Sequence, residues 1–142
     1  MPSLKAASKK QALQEMSRRA AELTGLDARL IQDRLLERER LGTTGVGNGI
    51  AIPHGKFEEL KSVVGLFARL EQPVDFDSID DQKVDLIFLL LAPEPAGADH
   101  LKALARVSRQ LRNHTTCEKL RGTDSADAIY ALLTKAAEPH AA

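Results

Sequence analysis

Apolar residues recur at helical intervals near the start of the chain. Leu13, Met16, Ala20 and Leu23 fall on one face of a 3.6-residue helix. Ser8 and Gln11 stand before them at capping-box spacing, and Gly25 supplies a stop. Asp27 can cap a second helix with Ile31 and Leu35 on one face, running to about Glu39. The preceding Leu4–Ala7 segment reads as a short strand. Four glycines between Gly42 and Gly49 hold neither a helix nor a good strand. Ile50-Ala51-Ile52 is a short apolar strand stopped by Pro53, with His54 and Gly55 directly after it.

Ser62–Leu70 is β-branched and apolar enough for a strand, and Gln72–Lys83 is an acidic connection. Val84–Ala92 is almost wholly apolar, which suits a strand buried on both faces and ended by Pro93 and Pro95. Leu101, Leu104, Ala105, Ser108 and Leu111 then form one helical face, with Lys102, Arg106 and Arg109 on another. Thr115–Arg121 reads as a short helix ended by Gly122. Asp124 or Ser125 caps a last helix carrying Ile129, Leu132 and Leu133. The predicted order is β-α-α-β-β-β-α-α-α, a three-layer α/β/α sandwich on a mixed sheet. Residues 1–135 read as one domain and 136–142 as a flexible tail.

Composition narrows the function. The 142 residues carry 20 basic and 20 acidic side chains, which argues against a bulk nucleic-acid or anionic-membrane binder. Aromatics are 4%, too few for a base-stacking platform. One cysteine, Cys117, excludes an intramolecular disulfide and fits a reducing cytoplasm. The longest apolar run, Leu86 to Ala92, is far short of the ~20 residues that span a bilayer. The Lys-, Arg- and Ser-bearing N-terminus has a transit-peptide flavour, but Glu15, Glu22 and the helix-start signal favour a folded helix. Charge is unevenly spread. Residues 1–71 hold 12 basic and 9 acidic side chains, residues 72–142 hold 8 and 11.

The candidate chemistry lies between Arg38 and Lys56. Glycine-rich backbone presents amides that can cradle an anion. The segment is no Walker A, because Asn48-Gly49 follows Gly47 where Lys-Ser/Thr is needed. It is no dinucleotide fingerprint either, since Ile50 takes the place of the third glycine. His54 is flanked by Pro53, which fixes the chain's approach, and Gly55, which admits a bulky anion. Imidazole is a side chain that forms covalent intermediates, and Arg38, Arg40 and Lys56 offer positive charge nearby. The residues alone leave an equal alternative, a strand-end histidine beside a glycine turn. His100 is either a second imidazole at a helix N-terminus, where anions are favoured, or a partly exposed helix-start residue. His114 and Cys117 have zinc-like spacing without a second pair. His140 lies in the tail. The Lys102, Arg106, Arg109 stripe is a solvated face or a docking surface for an acidic partner.

The run Arg38-Glu39-Arg40-Leu41-Gly42-Thr43-Thr44-Gly45-Val46-Gly47-Asn48-Gly49-Ile50-Ala51-Ile52-Pro53-His54-Gly55-Lys56 closely resembles the type-2 enzyme IIA domain of the bacterial phosphotransferase system, nearest its nitrogen-regulatory branch. The similarity continues through Gln72–Phe76, Val84–Pro93 and Asp99-His100-Leu101. The resemblance implies that His54 is phosphorylated at Nε2, with Arg38 and His100 as its active-site partners. Gly45, Gly47, Asn48, Gly49 and Gly55 would form the phosphate-binding loop. It also implies a cytoplasmic phosphocarrier that takes phosphate from a phosphohistidine donor protein, HPr or NPr. No metal or organic cofactor is required, because that donor arrives phosphorylated. The implied targets are regulatory proteins such as potassium-transport controllers. Neither nucleic acid nor direct membrane insertion is expected. Relatives are expected to carry roughly a dozen or more further residues before the first strand, an addition that still fits one domain. Two other readings stand beside this one. A sugar-specific enzyme IIA would pass phosphate to a fructose or mannitol IIB domain, and a non-catalytic binding module would keep only the fold.

Overall fold

Ser8 caps the first helix, and the Gln11 side chain reaches back past it to the Ala7 N–H. In the computed structural model, which describes residues 3–94 and 97–122, the Ser8 hydroxyl accepts the Gln11 N–H at 3.1 Å and the Gln11 side chain accepts the Ala7 N–H at 2.7 Å. Helix α1 then spans Lys9–Thr24 and stops at Gly25, whose φ of 79° is the left-handed stop that glycine permits. Asp27 caps α2, Ala28–Leu41, two residues longer than the pattern predicted. Leu13, Met16, Ile31 and Leu35 are fully buried.

Five strands follow: β1 Gly45–Gly47, β2 Ile50–Ala51, β3 His54–Phe57, β4 Val64–Val74 and β5 Val84–Pro93. The glycine segment therefore does hold a strand. Gly47 pairs Ile50, so Asn48-Gly49 is a two-residue hairpin turn, with φ of 57° and 80°. Asn-Gly suits a turn that needs positive φ at both positions. Strand β5 is central. It pairs β4 antiparallel on one side and β2, then β3, in parallel on the other. The N-terminal strand shrinks to one bridge, Leu4 to Leu70.

Helix α3 spans Gly97–Arg112 and α4 His114–Arg121. Alternation along β5 divides the core. Ile87, Leu89 and Leu91 pack with α1 and α2, whereas Leu86 packs with Val107, Leu111, Cys117 and Leu120 of α3 and α4. Helices thus cover both faces of the sheet, four of them among the described residues. The buried face of α3 runs through Val107 and Leu111, with Ala105 exposed. Leu104 packs partly buried against the same cluster, so the buried face differs from the predicted one in taking Val107 in place of Ala105. The predicted helix with Ile129, Leu132 and Leu133, and the tail, lie outside the described residues.

Candidate active site

Pro53 separates β2 from β3 along the same edge of β5, since it has no N–H to give a ladder. Its carbonyl still accepts the Leu90 N–H at 2.9 Å. The chain re-enters the sheet one residue later, so His54 is the first residue of β3, paired with Leu90. It is not a residue beyond the strand end. The ring Nδ1 lies 3.0 Å from the Ile52 carbonyl. A carbonyl can only accept, so Nδ1 carries the proton and Nε2 the lone pair.

Arg38 completes the arrangement from α2. Its Nε donates to His54 Nε2 at 3.2 Å, and its Nη1 donates to the Gly42 carbonyl at 2.9 Å. Arg34, Arg38 and Leu41, spaced four and three apart, share one face of α2. They line an open depression together with Glu37, Arg40, His54, Gly55, Lys56 and Leu104. Arg34 also donates to the Lys56 carbonyl at 3.1 Å and lies 5.8 Å from the Phe57 ring. Leu41 is 85% exposed, an apolar group at the rim of a basic surface. Sequence reasoning found Arg38, Arg40 and Lys56. It missed Arg34 and Leu41, which the spacing along α2 could have signalled, and Leu104 of α3.

Gly45, Gly47, Asn48 and Gly49 are not gathered around the imidazole. Ile50 pairs Leu86 while His54 pairs Leu90, a separation of about 13 Å along β5 at the usual strand rise. The Asn48 N–H is committed to the Asp80 carboxylate at 2.9 Å. Arg121 donates to the Asn48 carbonyl at 2.8 Å. Of the loop residues named from the sequence, Gly55 alone lines the depression.

His100 lies in the first turn of α3, four residues before Leu104. His114 is turned outward to Glu118 at 2.9 Å, while Cys117 is buried with its thiol on the Leu111 carbonyl, so the two do not converge on one point. Burial pushes the Cys117 thiol up from its ordinary value. Lys102, Arg106 and Arg109 are exposed. No helix among the described residues is long and apolar enough to cross a membrane.

Residues 2–136 match the family described as the phosphoenolpyruvate-dependent sugar phosphotransferase system, EIIA 2. The chain belongs to that family. This EIIA chain is 60% identical over 133 residues to the nitrogen regulatory protein of Bradyrhizobium diazoefficiens, an alignment covering 94% of this chain and 87% of the relative. It is 45% identical over 130 residues to that of Klebsiella oxytoca, with 91% and 80% covered. The crystal structure of nitrogen regulatory protein IIA-Ntr from Neisseria meningitidis superposes with a TM-score of 0.88 at 35% identity, covering 92% of this chain and 90% of that one. The EIIA chain is therefore a homologue of nitrogen regulatory proteins and carries the fold of a phosphoryl-transfer component.

Proposed function

We propose that this chain is a cytoplasmic phosphocarrier of the nitrogen branch, accepting phosphate on His54 from a phosphohistidine donor protein, NPr or HPr. The observation that carries the reading is the orientation of one imidazole. Nδ1–H is held by the Ile52 carbonyl, and the Nε2 lone pair is turned to Arg38, with His54 and Arg38 both lining an open basic depression.

In the transfer step the Nε2 lone pair attacks the donor's phosphorus. The donor's N–P bond breaks and its electrons return to the donor imidazole. The His54 ring gains positive character, which the Ile52 carbonyl stabilises through the proton it already shares. Arg38 exchanges its bond to Nε2 for the phosphoryl oxygens, where a planar guanidinium can give two parallel hydrogen bonds. Such preorganised charge is the main catalytic resource of phosphoryl transfer. His100, one turn before Leu104, is assigned the second imidazole at the phosphoryl group.

The product adds a charge of about −1.5 to −2, on the scale of other phosphorylated side chains. It is added to a surface bearing Arg34, Arg40, Lys56 and the exposed Leu41. That cancels much of the positive charge of a docking face and supplies the switch by which regulatory partners, potassium-transport controllers among them, would distinguish the two forms. The test is incubation with a labelled phosphohistidine donor. Label is expected on the wild-type chain and absent from His54→Ala. Label retained by that variant would sink the assignment.

A further inference from the structure

Arg38 is anchored at two points, His54 Nε2 and the Gly42 carbonyl. The second anchor lies in the turn after α2, so the aim of the guanidinium depends on what fixes that turn. Glu39 does so. Its carboxylate, with a side chain 4% exposed, accepts the Thr44 N–H at 3.1 Å, the Thr44 hydroxyl and the Lys9 ammonium at 2.8 Å. Its own carbonyl accepts the Gly42 N–H at 3.2 Å. One residue thus closes the 39–44 turn from both its side chain and its backbone, with Gly42 inside the closure. Lys9, at the start of α1, is fixed in turn 4.8 Å from the centre of the Phe76 ring. Glu39, Thr44 and Lys9 do not line the depression, so their effect on chemistry must pass through Arg38.

We infer that Glu39, held by Lys9 and Thr44, is a positioning residue: it fixes the Gly42 carbonyl and thereby aims Arg38 at His54 Nε2. The inference rests on the reading of His54 as the phosphoryl acceptor. The carboxylate receives three donors and has no proton to give. A glutamine keeps only one acceptor oxygen. With that oxygen on the Thr44 N–H and Lys9, its NH2 faces the Thr44 hydroxyl, whose proton then loses the acceptor it has in the wild type. The opposite flip costs the Thr44 N–H and Lys9 theirs. The turn then loosens and the guanidinium loses its second anchor.

The test is a double-variant cycle on the rate of phosphoryl transfer from a phosphorylated HPr-type donor. Glu39→Gln is expected to slow transfer roughly 10- to 100-fold, the scale of a small misplacement of a catalytic group. In an Arg38→Ala background the same change is expected to matter by less than about twofold, since residues acting through one another are not additive. Equal losses in both backgrounds, or no loss from Glu39→Gln, overturn the inference. Should Glu39→Gln not fold, Thr44→Val removes only the hydroxyl's bond to Glu39 and runs through the same cycle. Nitrogen NMR of His54 in the unphosphorylated chain reads Arg38's hydrogen bond directly. The Nε2 signal of the Glu39 variant is expected to move toward that of Arg38→Ala, and an unmoved signal overturns the inference. Absence of transfer in the wild type would count against the acceptor reading while leaving this second readout to decide on Glu39.

Discussion

Arg121 grips Asp85 with two parallel hydrogen bonds, Nε to Oδ2 and Nη2 to Oδ1, both at 2.9 Å. The hydrogen bond to Asp85 raises the already high pKa of Arg121. The same Nη2 also donates to the Asn48 carbonyl, so one guanidinium ties the end of α4 to β5 and to the hairpin tip. Truncation leaves Asp85 partly buried without its partner. Arg121→Ala is expected to lower stability by about 1–2 kcal/mol, a range set by charged hydrogen bonds and reduced by partial exposure. The check is the urea midpoint. Phosphoryl transfer is expected to persist in the folded variant, because this contact lies at the far end of the sheet from His54.

Asp80 gives a pH-dependent counterpart. The Asn48 amide first, and the Gln82 amide second, hold its pKa below the ordinary value of 3.8. A folded pKa below the unfolded one means stability that is present above pH 3.8 and lost as pH falls through the folded value. The stability difference between wild type and Asp80→Ala is expected to be constant at neutral pH and to shrink below about pH 4. Urea midpoints across that range measure it. A difference that grows on acidification would refute the assignment.

Cys117 is expected to be inert in the native chain. It is 3% exposed, and burial is the main cause raising its pKa, so little thiolate is available. Reaction with a disulfide reagent is expected to track unfolding as urea rises. Rapid labelling without denaturant would show that α4 opens independently.

Apart from the acceptor His54 itself, Arg38 is expected to be the residue whose loss most slows transfer while sparing the fold, because its side chain is only half-buried. Arg38→Ala should lower the rate about 10²- to 10³-fold, as removal of one preorganised charge stabiliser does. Arg38→Lys should recover only part of it, since an ammonium cannot span His54 and Gly42 as a planar fork does. Single-turnover rates decide both.

The helices were legible in the chain because their signals are local. Ser8, Gln11, Gly25 and Asp27 act within a turn of themselves, and Leu13, Met16, Ile31 and Leu35 repeat at the helical period. The strand at Gly45–Gly47 was not legible, because three residues with one side chain worth packing show no alternation. Nor was the re-entry of His54 into the sheet, which depends on Leu90, 36 positions away. Family resemblance pointed to Arg38 and His54, and the structure adds what no local pattern contains. The Ile52 carbonyl fixes the imidazole proton, and Glu39 closes the turn that carries Arg38's second anchor. In the sequence the hairpin glycines suggest a phosphate cradle because glycine frees a backbone. Pairing with Ala51 and Ile50, and the reach of Asp80 to Asn48, decide where that backbone points.

The central claim is that His54 Nε2 forms the bond to phosphorus. Heteronuclear NMR of the nitrogen-labelled chain, phosphorylated by its donor, tests it most directly. The account predicts phosphorus coupling to a single imidazole nitrogen, Nε2 of His54, with Nδ1 still bearing its proton. Coupling to Nδ1, or to any other histidine, would contradict it.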